Sequence, residues 1–198
     1  MTFLDLSSNA LAKGKKKEDG EKNRRYGPDE FHTDMTGIKA IADALSVSTS
    51  MNKLNIWDNK IGVEGATAIV NAAPAQMRTL CGDMFEEGQT EADLSDKNLG
   101  PTGAILVAWD LRAGFVSTSM KKIKVNKCEL PIDVLKTGVE VDLSGQNLRV
   151  EDAIIIAACI NVNSSMTKLN IFNTNIGVEG ATAIVNAAPA QMRTLCGD

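Results

Sequence analysis

Apolar and polar residues alternate in six short stretches: Leu4-Asp5-Leu6, Leu54-Asn55-Ile56, Ala92-Asp93-Leu94, Ile123-Lys124-Val125, Val141-Asp142-Leu143 and Leu169-Asn170-Ile171. A period of two predicts strands with one buried face. Five residues after each comes another apolar residue: Leu11, Ile61, Leu99, Leu130, Leu148 and Ile176. Between the strands lie nine-residue blocks beginning at Gly37, Gly65, Gly103, Asp152 and Gly180. Their second, fifth, sixth and ninth positions are apolar, as in Ile38, Ile41, Ala42 and Leu45. That spacing lines one face of a helix. Pro74 is expected to stop the second helix, because its ring clashes with the preceding turn. Met77–Leu80 and Met192–Leu195 begin like the other strands and predict two weaker ones.

The chain also repeats itself. Residues 61–83 recur without a single change at 176–198, an offset of 115. The match extends backwards more loosely, from Ser50–Ile56 to Ser165–Ile171. Self-similarity of this kind is the signature of repeat architectures.

Leu4 to Leu11 and Leu54 to Ile61 fit L-x-L-x-x-N-x-L, which resembles the leucine-rich repeat. Helical blocks 28 residues apart, Gly37 to Gly65 and Asp152 to Gly180, look like the ribonuclease-inhibitor-like subclass, which NOD-like receptors and the activator of the GTPase Ran share. The resemblance implies an α/β solenoid, with a parallel β-sheet on its concave face and helices on its convex face. One strand-plus-helix unit cannot bury its own apolar face, so neighbours must stack. Leu54, Ile123 and Leu169 should then share one sheet and face the core. Residues 1–198 read as a single array and, with no cap evident at either end, as a fragment of a longer one. The stretch 12–34, rich in both charges, reads as a loop insertion on its rim.

Departures from the pattern mark where regularity should fail. The turn asparagine is present at Asn9 and Asn59 and replaced by Lys97, Cys128, Gln146 and Thr174. Two block spacings stretch to 38 and 49 residues. Irregular turns are expected near 81–91 and 128–137, the second with a short helix starting at Pro131.

Composition excludes more than it suggests. With 21 basic and 25 acidic residues the net charge is −4, which speaks against a nucleic-acid partner. No run of about 18 apolar residues occurs, so no membrane partner is expected. The single histidine, His32, leaves no histidine pair for a metal or a triad. No C-x-x-C, nucleophile motif or phosphate loop is present, and neither a cofactor nor an enzymatic activity is expected. Four cysteines without close pairs point to reduced thiols and a cytoplasmic chain. Asn163-Ser164-Ser165 fits the glycosylation rule, which carries no meaning there.

What remains is binding. Residues flanking the buried strand positions should point outward, placing Lys121, Lys124 and Lys127 in a stripe between acidic ones that hold Asp93 and Asp142. The stripe either neutralises its neighbours or steers a protein partner. Trp57 and Phe172 occupy equivalent positions in the two copies and are expected to be exposed as interface anchors, with Trp57→Ala sparing stability. The resulting reading is a non-enzymatic protein-binding module acting through the concave face or rim loops. The alternatives are a small-GTPase activator, or a receptor or gene-product fragment without activity of its own.

Overall fold

The computed structural model describes residues 2–9, 11 and 35–195; the charged insertion at 12–34, His32 and Cys196 lie outside them. Strands and helices alternate: β1 (Thr2–Asp5), α1 (Thr36–Ser46), β2 (Met51–Asn55), α2 (Gly62–Ala72), β3 (Glu91–Asp93), α3 (Gly100–Arg112) and β4 (Lys122–Val125). Then follow β5 (Cys128–Pro131), α4 (Ile132–Thr137), β6 (Glu140–Asp142), α5 (Val150–Asn161), β7 (Lys168–Asn170), α6 (Gly177–Ala187) and β8 (Thr194–Leu195). Every alternating triplet and every nine-residue block thus forms the element its period predicts. Ala73, before Pro74, turns extended and ends α2, as the steric clash requires. Pro101 sits in the first turn of α3, where its missing N–H costs nothing.

The helices pack in the order α1–α2–α3–α5–α6, with α4 against α5. Position in that order decides how much of each helix is buried. In α1 only Ile38, Ala42 and Leu45 are buried, whereas α3, between two helices, also buries Gly103, Ala104, Leu106 and Val107. The block glycines permit this closeness: a Cβ on Gly180 would stand 2.8 Å from the Cβ of Ala153 on α5.

The sheet layer departs from expectation. Leu54, Ile123 and Leu169 are all fully buried, but they lie in three separate short sheets, β1-β2, β3-β4-β5 and β6-β7-β8, not in one. Pairing is parallel within each except at β4-β5, an antiparallel hairpin in which Lys124 faces Glu129. The hairpin turns on Asn126-Lys127, with Asn126 left-handed at φ 52°, a conformation asparagine tolerates. By occupying the free edge of β4, β5 keeps β6 from pairing there. Cys128, expected inside a repeat turn, is instead a buried strand residue opposite Val125. The helix expected at Pro131 is α4. On its other side the β3-β4-β5 sheet is separated from β2 by the irregular turns of residues 81–90, as the long spacing there predicts.

Buried side chains hold the irregular parts. Asn59 donates through Nδ2 to the carbonyls of Leu6 (2.7 Å) and Ile56 (3.0 Å), and its Oδ1 accepts from the Asn9 N–H at 3.0 Å. Thr174 makes the corresponding bond to the Ile171 carbonyl at 2.8 Å. Lys97 is exposed, and its turn is closed by its own backbone N–H on Leu94. Asp110, on α3, accepts from the Thr79 hydroxyl (2.6 Å) and the Leu80 N–H (2.8 Å), tying down the segment that leaves the repeat frame. Lys136 donates to the carbonyls of Leu111 and Ser117, closing the carboxyl end of α3.

Candidate protein-binding surface

The strands end on a recurring device. The side-chain Oδ1 of Asp5, Asn55, Asp93, Asp142 and Asn170 accepts the backbone N–H two residues on, at 2.8–3.2 Å. These are Asx-turns, and they explain why the outward strand position is Asp or Asn so often. Asp93 and Asp142 therefore have a structural task whatever else they do. The Ser95 hydroxyl and N–H beside Asp93, then the Lys124 ammonium, hold its carboxyl at about 2. Asp142 is lowered by Ser144 in the same manner.

Charge on the outer face concentrates on the middle sheet. Lys124 reaches Asp93 at 3.0 Å and Lys122 reaches Glu129 at 3.3 Å. Lys121 and Lys127 are exposed at either end of β4 and make no ion pair among the described residues. Lys122 and Lys124 are the exposed residues of β4, and their acidic neighbours are Glu129 on β5 and Asp93 on β3. Asp142 belongs to a different sheet, beside Asn170. The expectation of one stripe running between Asp93 and Asp142 is corrected accordingly.

The two aromatics part company. Phe172 is 67% exposed. Trp57 is half-buried against the core; a Cβ on Gly103 of α3 would lie 2.9 Å from its ring. Its expected exposure is overturned, because the residue on the next helix has no side chain to keep the indole out.

A cleft of about 380 Å³ lies beside β2, lined by Lys53, Arg78, Thr79, Asp83, Phe85, Glu86, Glu87 and Phe115. Its cations are already answered: Lys53 pairs with Asp83 and lies over Phe3, and Arg78 pairs with Glu87 and lies over Phe115. Burial pushes Asp110 up to about 6 against the Thr79 hydroxyl and the Leu80 N–H, yet its oxygens are spent on those donors. Asp152, also pushed up to about 6 by burial, accepts the Arg149 N–H and caps α5. Burial pushes the Cys159 thiol up to about 12. No group of His, Cys, Asp and Glu that could hold a metal occurs among the described residues. Asn163 is buried, donating to Leu135 and Gly138 and accepting from Ser165 and Met166, so its side chain is closed to modification.

Asp110, Lys136 and Asn163 carry much of this structure and went unnoticed in the sequence as structural residues. A carboxylate at the eighth place of the block containing Asp110, otherwise apolar at its end, was the available signal.

A family model described as Leucine Rich repeat matches residues 47–70 and 162–185. No curated protein matches the chain. The matched segments contain the β2-α2 and β7-α6 units. The two matched segments support leucine-rich repeats within this chain, and such domains generally mediate protein–protein interaction. No helix among the described residues is long and apolar enough to cross a membrane.

Proposed function

We propose that the chain is a non-enzymatic protein-binding module that engages its partner through the outer face of β3-β4-β5. The observation that carries this reading is the pair of exposed lysines, Lys121 and Lys127, which make no ion pair among the described residues and flank the internally paired Lys122 and Lys124. The inner pairs order the face, and the outer lysines remain available to steer an acidic segment of a partner. The surface is narrower than a continuous concave sheet, since Asp142 lies outside it.

The stacking order of the helices supports a curved solenoid whose strand layer is interrupted. The 28-residue spacings from Gly37 to Gly65 and from Asp152 to Gly180 support the ribonuclease-inhibitor-like subclass. Cys81, Cys128 and Cys159, buried and unbridged, support a reducing, cytoplasmic setting.

The test is affinity capture from native lysate with the chain and with its K121E/K124E/K127E variant. Loss of the captured protein in the variant supports the reading; equal recovery removes this face as the binding surface. A GTP-hydrolysis assay on captured GTPases runs alongside it. Acceleration there would replace a binding module with a GTPase activator.

A further inference from the structure

The four ion pairs among the described residues all join residues between β2 and β5: Lys53 with Asp83, Arg78 with Glu87, Lys122 with Glu129 and Lys124 with Asp93. Within the segments 83–93 and 121–129 that leaves Glu86, Glu91, Lys121 and Lys127. All four are exposed and make no ion pair among the described residues. Two acids and two lysines remain, so the leftover charge is balanced in amount but sorted by sign.

The two signs sit side by side on the strand side. Gly82, left-handed at φ 62°, carries the turn 81–90 over β2. A Cβ on it would stand 2.6 Å from the side chain of Asn55, which flanks buried Leu54 and Ile56 and so points outward. The turn exposes Glu86, Glu87 and Gly88. It ends at Thr90, whose carbonyl accepts the Lys121 N–H at 2.7 Å and the Lys122 N–H at 3.1 Å. Glu91 follows on β3, in register with Lys122 on β4. The acidic turn therefore runs directly into the start of the lysine strand.

A wholly acidic partner would meet Lys121 and Lys127 and be repelled by Glu86 and Glu91; a wholly basic one meets the reverse. The face needs a partner that carries both signs in inverse order. A copy of the same face turned about a two-fold axis has that order, and each patch then meets its opposite twice. We propose that the acidic segment engaged by Lys121 and Lys127 is residues 86–91 of a second copy of this chain, in a two-fold dimer. This rests on the reading of β3-β4-β5 as a protein-binding face and names its partner. Exposed ion pairs are individually weak, so the dimer is reversible and salt-sensitive.

The test is sedimentation equilibrium of the full chain, of K121E/K127E and of E86K/E91K. The wild type should dimerise reversibly below about 200 µM, and raising salt from about 50 mM to about 500 mM should weaken the dimer about tenfold. Each variant alone carries one sign across both patches and should stay monomeric, whereas the two mixed one to one should form a heterodimer. Circular dichroism checks each fold; should a reversal variant misfold, K121Q/K127Q and E86Q/E91Q should each weaken the dimer instead. A wild type that stays monomeric overturns the proposal, as does a dimer unchanged in both variants, or folded reversal variants that do not associate when mixed. A monomeric wild type whose lysate capture still depends on the lysines overturns the dimer and leaves the binding-module reading standing. Lysate recovery unaffected by K121E/K124E/K127E, beside a dimer that the same substitutions abolish, removes the lysate partner from this face and supports the second copy.

Discussion

Replacing Asp110 separates what its hydrogen bonds contribute from what its charge costs. The side chain is fully buried, and its acidity is weakened from the ordinary 3.8 to about 6 by burial. Ionisation in the folded state therefore costs about 3 kcal/mol more than in the unfolded chain. The folded state holds the proton more tightly, so Asp110 favours folding most at low pH. That contribution is lost as pH rises from about 4 through about 6. Lowering pH from 7 to 5 should thus stabilise the wild type by about 1 kcal/mol relative to a variant without this acid. Asp110→Asn keeps an acceptor for the Leu80 N–H and a polar partner for Thr79, and removes the buried charge. It should be at least as stable as wild type at pH 7. Asp110→Ala leaves both groups unanswered in the interior and should fall below the Asn variant by about 2–4 kcal/mol. Urea denaturation of the three proteins at pH 7 and pH 5 gives all of these differences. Equal stability of the Ala and Asn variants, or a wild type that loses stability relative to Asn on acidification, would refute the reasoning.

Trp57→Ala should lower stability by about 2 kcal/mol by opening a gap over Gly103, whereas Phe172→Ala should change it by no more than about 0.5 kcal/mol; thermal unfolding compares the two. Asn59→Ala should cost about 2–3 kcal/mol, because the Leu6 and Ile56 carbonyls and the Asn9 N–H lose their shared partner, as chemical denaturation will read. Neutralising Lys124 alone should leave Tm unchanged within error, since its pair with Asp93 is exposed to solvent.

The periodicities made the elements legible because each helix and strand buries one stripe, and burial writes its period into the sequence. Leu54, Ile123 and Leu169 are in the core for that reason. Sheet continuity was not legible, because it depends on which edge each strand finds. The hairpin signal was present: Cys128, Glu129 and Leu130 alternate just after an asparagine turn, the pattern of a returning strand. Cys128 also fits the repeat's turn position, so two patterns compete over the same residue. The burial of Trp57 was not legible because it is decided by Gly103, 46 residues away, and no local pattern reports that a distant neighbour lacks a side chain. Asp93 and Asp142 were seen as surface charge, while their Asx bonds explain their placement without any partner.

The claim that a partner is bound on the strand side is tested most directly by a photo-crosslinking amino acid placed either at Glu91, on the outer face of β3, or at Glu64, on the exposed side of α2. With the partner captured from lysate, crosslinking from position 91 and none from position 64 is the predicted result. Crosslinks from 64 alone, or equal yields from both, would contradict it.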